Sequence, residues 1–203
     1  MSRVVIVART RMQHDDVCIG GHDLDCRFRG VRLLDRFGGH WTTASPFMVG
    51  EVWNLDYRAK HSAKPPHVED VYVNGQQRIG QVADLKALVL QRARPWAGGP
   101  DALFDGTVRA TPSRAAYIPS HGRLPRCSTG YWVPDRDLVL KLFGTKKRFL
   151  MSEQEGVERF AWVGVQEPPE RIEAGSLLRV SLSRLFAAEG VAEGYYVQIS
   201  GVL

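Results

Sequence analysis

The chain is written in short alternating apolar runs, each cut off by turn residues. Alternation puts every second side chain on one face, which is the pattern of a half-buried strand. In the first half the runs are Val4–Ala8, Val17–Gly20, Val31–Leu34, Val49–Tyr57 and Val68–Val73, the last stopped by Asn74-Gly75. In the second half they are Leu138–Phe143, Phe149–Met151, Phe160–Val165, Leu177–Leu182 and Tyr195–Ile199. One stretch changes period. Between Gln81 and Arg94, Val82, Leu85, Leu88 and Val89 recur at helical spacing with Asp84 and Lys86 on the other side, which predicts one amphipathic helix.

The two halves echo each other. GEVWNLDY from Gly50 and GSLLRVSL from Gly175 both place apolar residues two, three, five and seven positions after the glycine. Trp53, Leu55 and Tyr57 therefore share one strand face, as do Leu178, Val180 and Leu182. Each echo leads to an aromatic strand, VYV or YYVQIS. A chain of 203 residues has room for two small domains. The expectation is a mainly β fold of two tandem small OB-like β-barrels, residues 1–80 and 130–203, with five or so strands each. Residues 81–129 would hold one bridging α-helix, docked through Val82, Leu85 and Leu88, and connecting loops. The Gly-, Pro-, Ser- and Arg-rich stretch 95–130 reads as an inter-lobe connection or a loop draped over the fold.

Composition narrows the class further. At 44% hydrophobic and 24% charged residues, disorder of the whole chain is excluded. The formal charge of +5 favours an anionic partner. It is unevenly placed: residues 121–150 hold seven Lys/Arg against two Asp, net +5, whereas 151–203 hold eight Glu against four Arg, net −4. The N-terminal apolar run is broken by Arg9 and Arg11, too early for a signal segment or a membrane span, so no membrane partner is expected. Three cysteines without a CxxC indicate neither a disulfide framework nor a zinc knuckle, which suits a reduced, cytoplasmic chain. There is no GxxxxGK[ST] loop, GxSxG elbow or HExxH helix, so no cofactor and no catalytic residue is assigned.

Three stretches invite a chemical reading. KPPHVEDVYV, residues 64–73, gathers His67, Glu69 and Asp70 behind two prolines. Pro65-Pro66 forces an extended chain, on which His67 and Glu69 share a face and Asp70 points away. A zinc site needs more nitrogen or sulfur ligands than this. A structural corner is expected, with Glu69 or Asp70 bonded to backbone or an arginine; contact of Lys64 or His67 with nucleic acid is the alternative. YWVPDRDLVLK, residues 131–141, superficially resembles a restriction-type metal site through Pro134, Asp135 and Lys141. Val139, however, stands where a carboxylate is needed. Arg9 and Arg11 follow a strand two residues apart and could hold a phosphate or form a charged rim.

The basic stretch offers a phosphate track through Lys141, Lys146, Lys147 and Arg148, with FGTKKRF read as a loop between strands. Its alternative is a solvated hairpin tip. Trp41, Trp53, Tyr57, Tyr131 and Trp132 are candidates for stacking bases, Tyr131 and Trp132 lying closest to the cations; at least half of the five are expected in the core.

RVVIVARTRM, VGEVW, PPHVEDVYV, LFDG (Leu103–Gly106), GYWVPDRDL and GYYVQISGV, taken together and in this order, resemble the dual OB-containing domain family. They span nearly the whole chain, and none is a catalytic signature. The resemblance implies two OB-type barrels and nucleic-acid binding within a prokaryotic multiprotein system handling foreign DNA or RNA. It carries no catalytic residues over, and makes HVED a structural mark. The leading expectation is therefore a non-catalytic nucleic-acid-binding module. Against it stands a protein-interaction scaffold using the acidic residues Glu153, Glu155, Glu158, Glu167, Glu170 and Glu173, and more remotely a metal-dependent nuclease.

Overall fold

The alternating runs of the first half all become strands in the computed structural model, which describes residues 1–151, 156–157 and 159–203. They are β1 (Ser2–Arg11), β2 (Asp16–Asp23), β3 (Arg29–Leu34), β4 (Trp41–Thr42), β5 (Glu51–Ala59) and β6 (Asp70–Gln81). Antiparallel pairs join β1 to β2, β2 to β3, β5 to β6 and β1 to β5. A parallel pair, β3 with β6, closes the ring. This is the five-stranded Greek-key barrel of an OB fold. A register shift between Ile6 and Ala8 bends β1, so that its start pairs with β5 while most of its length pairs with β2. Val5, Ile19, Val31, Leu33, Leu55 and Val71 are among its fully buried side chains.

The chain divides into two compact units, Met1–Arg94 and Pro95–Leu203. The expected boundaries at 80 and 130 differ from this division. The helix α1 (Leu85–Arg92) belongs to the first unit, capped by the Asp84 carboxylate on the Ala87 amide at 2.8 Å. Val89 is its buried residue, while Val82, Leu85 and Leu88 are only half-buried. Arg92 reaches back to the Leu24 carbonyl at 3.4 Å, inside the same unit.

The second unit recruits the stretch that reads as loop. It supplies β7 (Trp96–Gly98), a 3-10 segment (Pro100–Gly106), β8 (Arg109–Ala110) and β9 (Ala116–Pro119). Then follow β10 (Thr129–Pro134), β11 (Leu138–Phe143), β12 (Lys146–Met151), β13 (Arg159–Trp162), β14 (Arg171–Ile172), β15 (Leu178–Leu182), β16 (Phe186–Ala188) and β17 (Val191–Val202). Pairs run β11–β12, β12–β13, β13–β17 in parallel, β17–β15 and β15–β10. Asp135–Asp137 joins β10 to β11, so those two strands act as one broken first strand. The order then repeats that of the first unit: β12 stands for β2, β13 for β3, β15 for β5 and β17 for β6. Trp132, Phe149, Phe160, Leu178, Val180 and Ile199 fill its core.

Gly50 and Gly175 occupy matching places. Their φ angles are +89° and +81°, a region that favours glycine. The Gly50 amide donates to the Ile6 carbonyl at 2.8 Å, and the Gly175 amide to the Pro134 carbonyl at 2.9 Å, each reaching the barrel's first strand. A Cβ would meet only Gln81 at ordinary contact distance at Gly50 and open space at Gly175. Alanine at either position should therefore cost backbone strain alone, about 1–2 kcal/mol. Denaturant unfolding of the two single variants measures this, and a cost at only one site would show that the strand starts differ.

Candidate nucleic-acid interface

Strand alternation sorts the basic stretch onto two faces. Lys141 pairs with Arg148, Phe143 with Lys146, Arg148 with Ala161, and Leu150 with Arg159. Cross-strand partners share a face, so Lys141, Phe143, Lys146, Arg148 and Arg159 all point away from the core residues Leu138, Phe149, Met151 and Phe160. Gln198 follows Ala161 on this outer face, and Tyr196 lies two residues before it on β17. The Phe143 ring is 45% exposed with the Arg159 guanidinium 5.7 Å from its centroid. Tyr196 packs against Tyr117 at 5.8 Å and Phe186 at 5.9 Å.

The described residues of this face include cations but no carboxylate partner for them. Burial and the neighbouring charge of Arg159 both push the Arg148 pKa down. Arg159 Nε is buried without an acceptor. Among the described residues no carboxylate pairs with Lys141, Lys146, Arg148 or Arg159. Cations held this way, beside exposed rings, are arranged to receive an anion that also has flat groups.

Lys146 and Lys147 part company. Both lie in β12 rather than on the Gly144-Thr145 turn, and adjacent strand residues face opposite ways. Lys147 therefore leaves the basic face and pairs with Glu167. Tyr131 and Trp132 are corrected too. They are 3% and 0% exposed, because β10 is flanked by β7 and β15. Tyr131 lies beneath Arg179, 5.3 Å from its centroid, and burial raises its pKa to about 12. Trp132 donates to the Gly98 carbonyl at 2.9 Å. Trp53 is buried as well and donates to Glu51 at 3.0 Å. The Tyr57 hydroxyl, half-buried, bonds to Asp23; burial first and then that carboxylate raise its pKa to about 12.

The remaining residues lie in the first unit. Arg9 is buried and donates to the Thr43 carbonyl at 2.7 Å and the Met48 sulfur at 3.0 Å, which rules out the free phosphate clamp with exposed Arg11. Lys64 is exposed. His67, Glu69 and Asp70 are all buried. Asp70 forms an ion pair with Arg32 and lies 3.9 Å from Lys60 Nζ, while His67 Nδ1 is 3.4 Å from Arg32. Burial lowers the Arg32 pKa, but Cys18, Asp70 and Glu69 outweigh it and leave the pKa raised. His67 thus packs on an internal arginine and has no free face for a strand. Among the described residues no group of His, Cys, Asp or Glu is placed to hold a metal ion, and no helix is long and apolar enough to cross a membrane. Glu153, Glu155 and Glu158 fall outside the described residues; Glu170 and Glu173 are exposed.

Phe143 and Arg159 are the members of the face that residue counting missed. Phe143 ends the run Leu138–Phe143 and Arg159 directly precedes the run Phe160–Val165, and pairing those strands in register is the signal that places both beside the lysines.

The sequence matches the family described as "Dual OB-containing domain" over residues 2–202. The chain belongs to the dual OB-containing domain family. Among curated proteins none matches it. Solved structures that it weakly resembles include these three. One is described as "Structural mimicry for functional antagonism", with 10% identity, TM-score 0.40, and 98% of this chain and 91% of that chain covered. The Ifi202 HINa domain in complex with 20bp dsDNA gives 10%, 0.39, 98% and 94%. The p204 HINb domain gives 13%, 0.37, 97% and 95%. These likenesses are too weak to transfer a ligand.

Within a dual OB chain the two barrels can be compared row by row. Gly20, Arg32 and Asp70 run across β2, β3 and β6 of the first barrel; Arg148, Ala161 and Gln198 run across β12, β13 and β17 of the second. Each row carries one arginine, and only the first carries its own carboxylate. In the first barrel the β5–β6 connection, which holds HVED, folds over that row and buries it. Asp70→Ala should leave Arg32 buried without its ion-pair partner and cost about 3–5 kcal/mol. Chemical denaturation of the full chain checks this, and a loss below about 1 kcal/mol, typical of an exposed pair, would show that the pair is not structural.

Proposed function

We propose that this chain is a non-catalytic module that binds single-stranded nucleic acid on the outer face of β11, β12 and β13. The observation that carries the reading is the cation set Lys141, Lys146, Arg148 and Arg159, paired with no carboxylate among the described residues, around an exposed Phe143. OB barrels bind oligonucleotides on the face of their second and third strands, which β12 and β13 represent here. Cations follow the phosphates, and aromatic rings stack bases in a sequence-tolerant way. Phe143 supplies one platform, and the Tyr117–Tyr196–Phe186 group supplies a second on β17 and its neighbours. The first barrel's matching face is closed by its own ion pair, so the second barrel carries the contact. We extend the proposal, on family membership alone, to an accessory role in a prokaryotic multiprotein system that handles DNA or RNA.

A salt titration with single-stranded oligonucleotides tests the assignment. Removing Lys141 and Lys146 together (K141Q/K146Q) should flatten the slope of log affinity against log salt by about 1.4, since each single-strand phosphate contact contributes about 0.7. Lys147→Gln and His67→Ala should leave the slope as it is, because neither lies on the face. Phe143→Ala should weaken binding by about 1–3 kcal/mol with an unchanged slope. Equal slopes for K141Q/K146Q and Lys147→Gln would place the phosphate track elsewhere.

A further inference from the structure

The first unit has a cleft of about 350 Å³ between the β3–β4 connection and β6, lined by Asp35, Arg36, Phe37, Trp41, Val73 and Asn74 to Gln76. Its volume lies at the lower end of the range for small-ligand sites. Phe37 stands at its edge and is 82% exposed, an unusual position for a ring that makes no core contact of its own. The Arg36 guanidinium sits 4.6 Å from the Phe37 centroid. Asp35 fixes this turn by accepting from the Phe37 amide at 2.8 Å and the Gly39 amide at 2.7 Å. Its carboxylate is thus committed to the backbone, and the ring is held out by the turn.

The cleft also carries unused hydrogen-bonding groups. Trp41 lines the cleft with its ring, while its indole nitrogen is closed off from solvent and has no acceptor among the described residues. Its ring is fixed edge-on against Phe47, with centroids 5.0 Å apart. Asn74 and Gln76 are exposed, and their side-chain amides make no hydrogen bond among the described residues. An exposed ring backed by an arginine and two free amides match a flat heterocycle with polar edges. They match neither a bare anion, for which Asp35 is a poor neighbour, nor an apolar ligand, which would leave the amides unused.

We propose that this cleft is a base-binding site that takes one unpaired nucleobase, stacked on Phe37 with its polar edge toward Asn74 and Gln76. The proposal rests on the nucleic-acid-binding reading above and adds a contact in the other unit, independent of Phe143 and the lysine face. A base stacked on one aromatic ring is lost, on alanine substitution, at about a five- to 150-fold cost in affinity.

The test uses the full chain and a single-stranded thymidine oligonucleotide, with an abasic oligonucleotide of equal length as reference. Phe37→Ala should weaken binding of the base-bearing strand by about five- to 150-fold and leave abasic binding and the salt slope unchanged. Photo-crosslinking with 4-thiothymidine should label the peptide containing Phe37. Free nucleoside monophosphates provide a second arm: binding that Phe37→Ala abolishes would support the cleft with a free nucleotide as its source. Phe37→Ala binding like wild type, with the slope still responding to K141Q/K146Q, would overturn the cleft and leave the reading of the second barrel standing. Absence of any binding to either oligonucleotide or to monophosphates would overturn both.

Discussion

The first barrel depends on three residue pairs. Arg32, Leu33 and Leu34 of β3 lie parallel to Asp70, Val71 and Tyr72 of β6, and this short parallel ladder is the seam at which the ring closes. A parallel pair has no hairpin to fix its register. Here the register is fixed chemically. The Arg32 amide donates to the Glu69 carbonyl at 2.7 Å, while the Arg32 side chain pairs with Asp70. A slip of one residue would turn Asp70 into the core and Val71 out of it. The buried ion pair is therefore a register lock, and the burial of His67 and Glu69 follows from the corner that delivers Asp70 to it.

The second barrel closes the same seam without ions. Ala161 and Trp162 of β13 lie beside Gln198 and Ile199 of β17, and the inward residues carry the joint. Phe160 packs against Trp132 at 5.1 Å, and Trp162 against Phe149 at 5.8 Å. Large rings specify such a seam by shape, since a slip would expose them or collide them. Closing the barrel from inside releases the outer row from structural duty. Arg148 is free to be a contact because Phe160 and Trp162 have already set the register.

Much of this was legible. Alternation located the strands of both barrels, and the repeated glycine-led pattern located a backbone device that recurs at Gly50 and Gly175. PPHVED was readable as a corner from its prolines, but the alternation that set His67 and Asp70 on opposite faces does not hold there, since both side chains reach Arg32. What alternation does not reveal is what covers a strand's second face. Tyr131 and Trp132 were both read as candidates for stacking bases; they are neighbours pointing to opposite faces, and with Arg179 over Tyr131 both are buried. Lys146 and Lys147 were read as loop residues, and only their place in β12 shows that they diverge. The strands β7, β8 and β9 are too short to show a period, and they exist through pairing with β10 and β17. Tertiary contacts created them.

The row comparison also bears on why a fold would keep Arg148 and Arg159 on adjacent strands. Like charges across neighbouring strands weaken a sheet, and the Arg148 pKa is depressed first by burial and then by repulsion from Arg159. A carboxylate on β17 at Gln198 would relieve it, and the first barrel shows that this architecture accepts a carboxylate in that row, at Asp70. The second barrel has an amide there instead. Its guanidinium groups therefore remain without an internal anion among the described residues, next to rings that a base can cover. The two barrels answer one electrostatic problem in opposite ways: the first neutralises its arginine from within through Asp70, and the second offers Arg148 and Arg159 no carboxylate among the described residues.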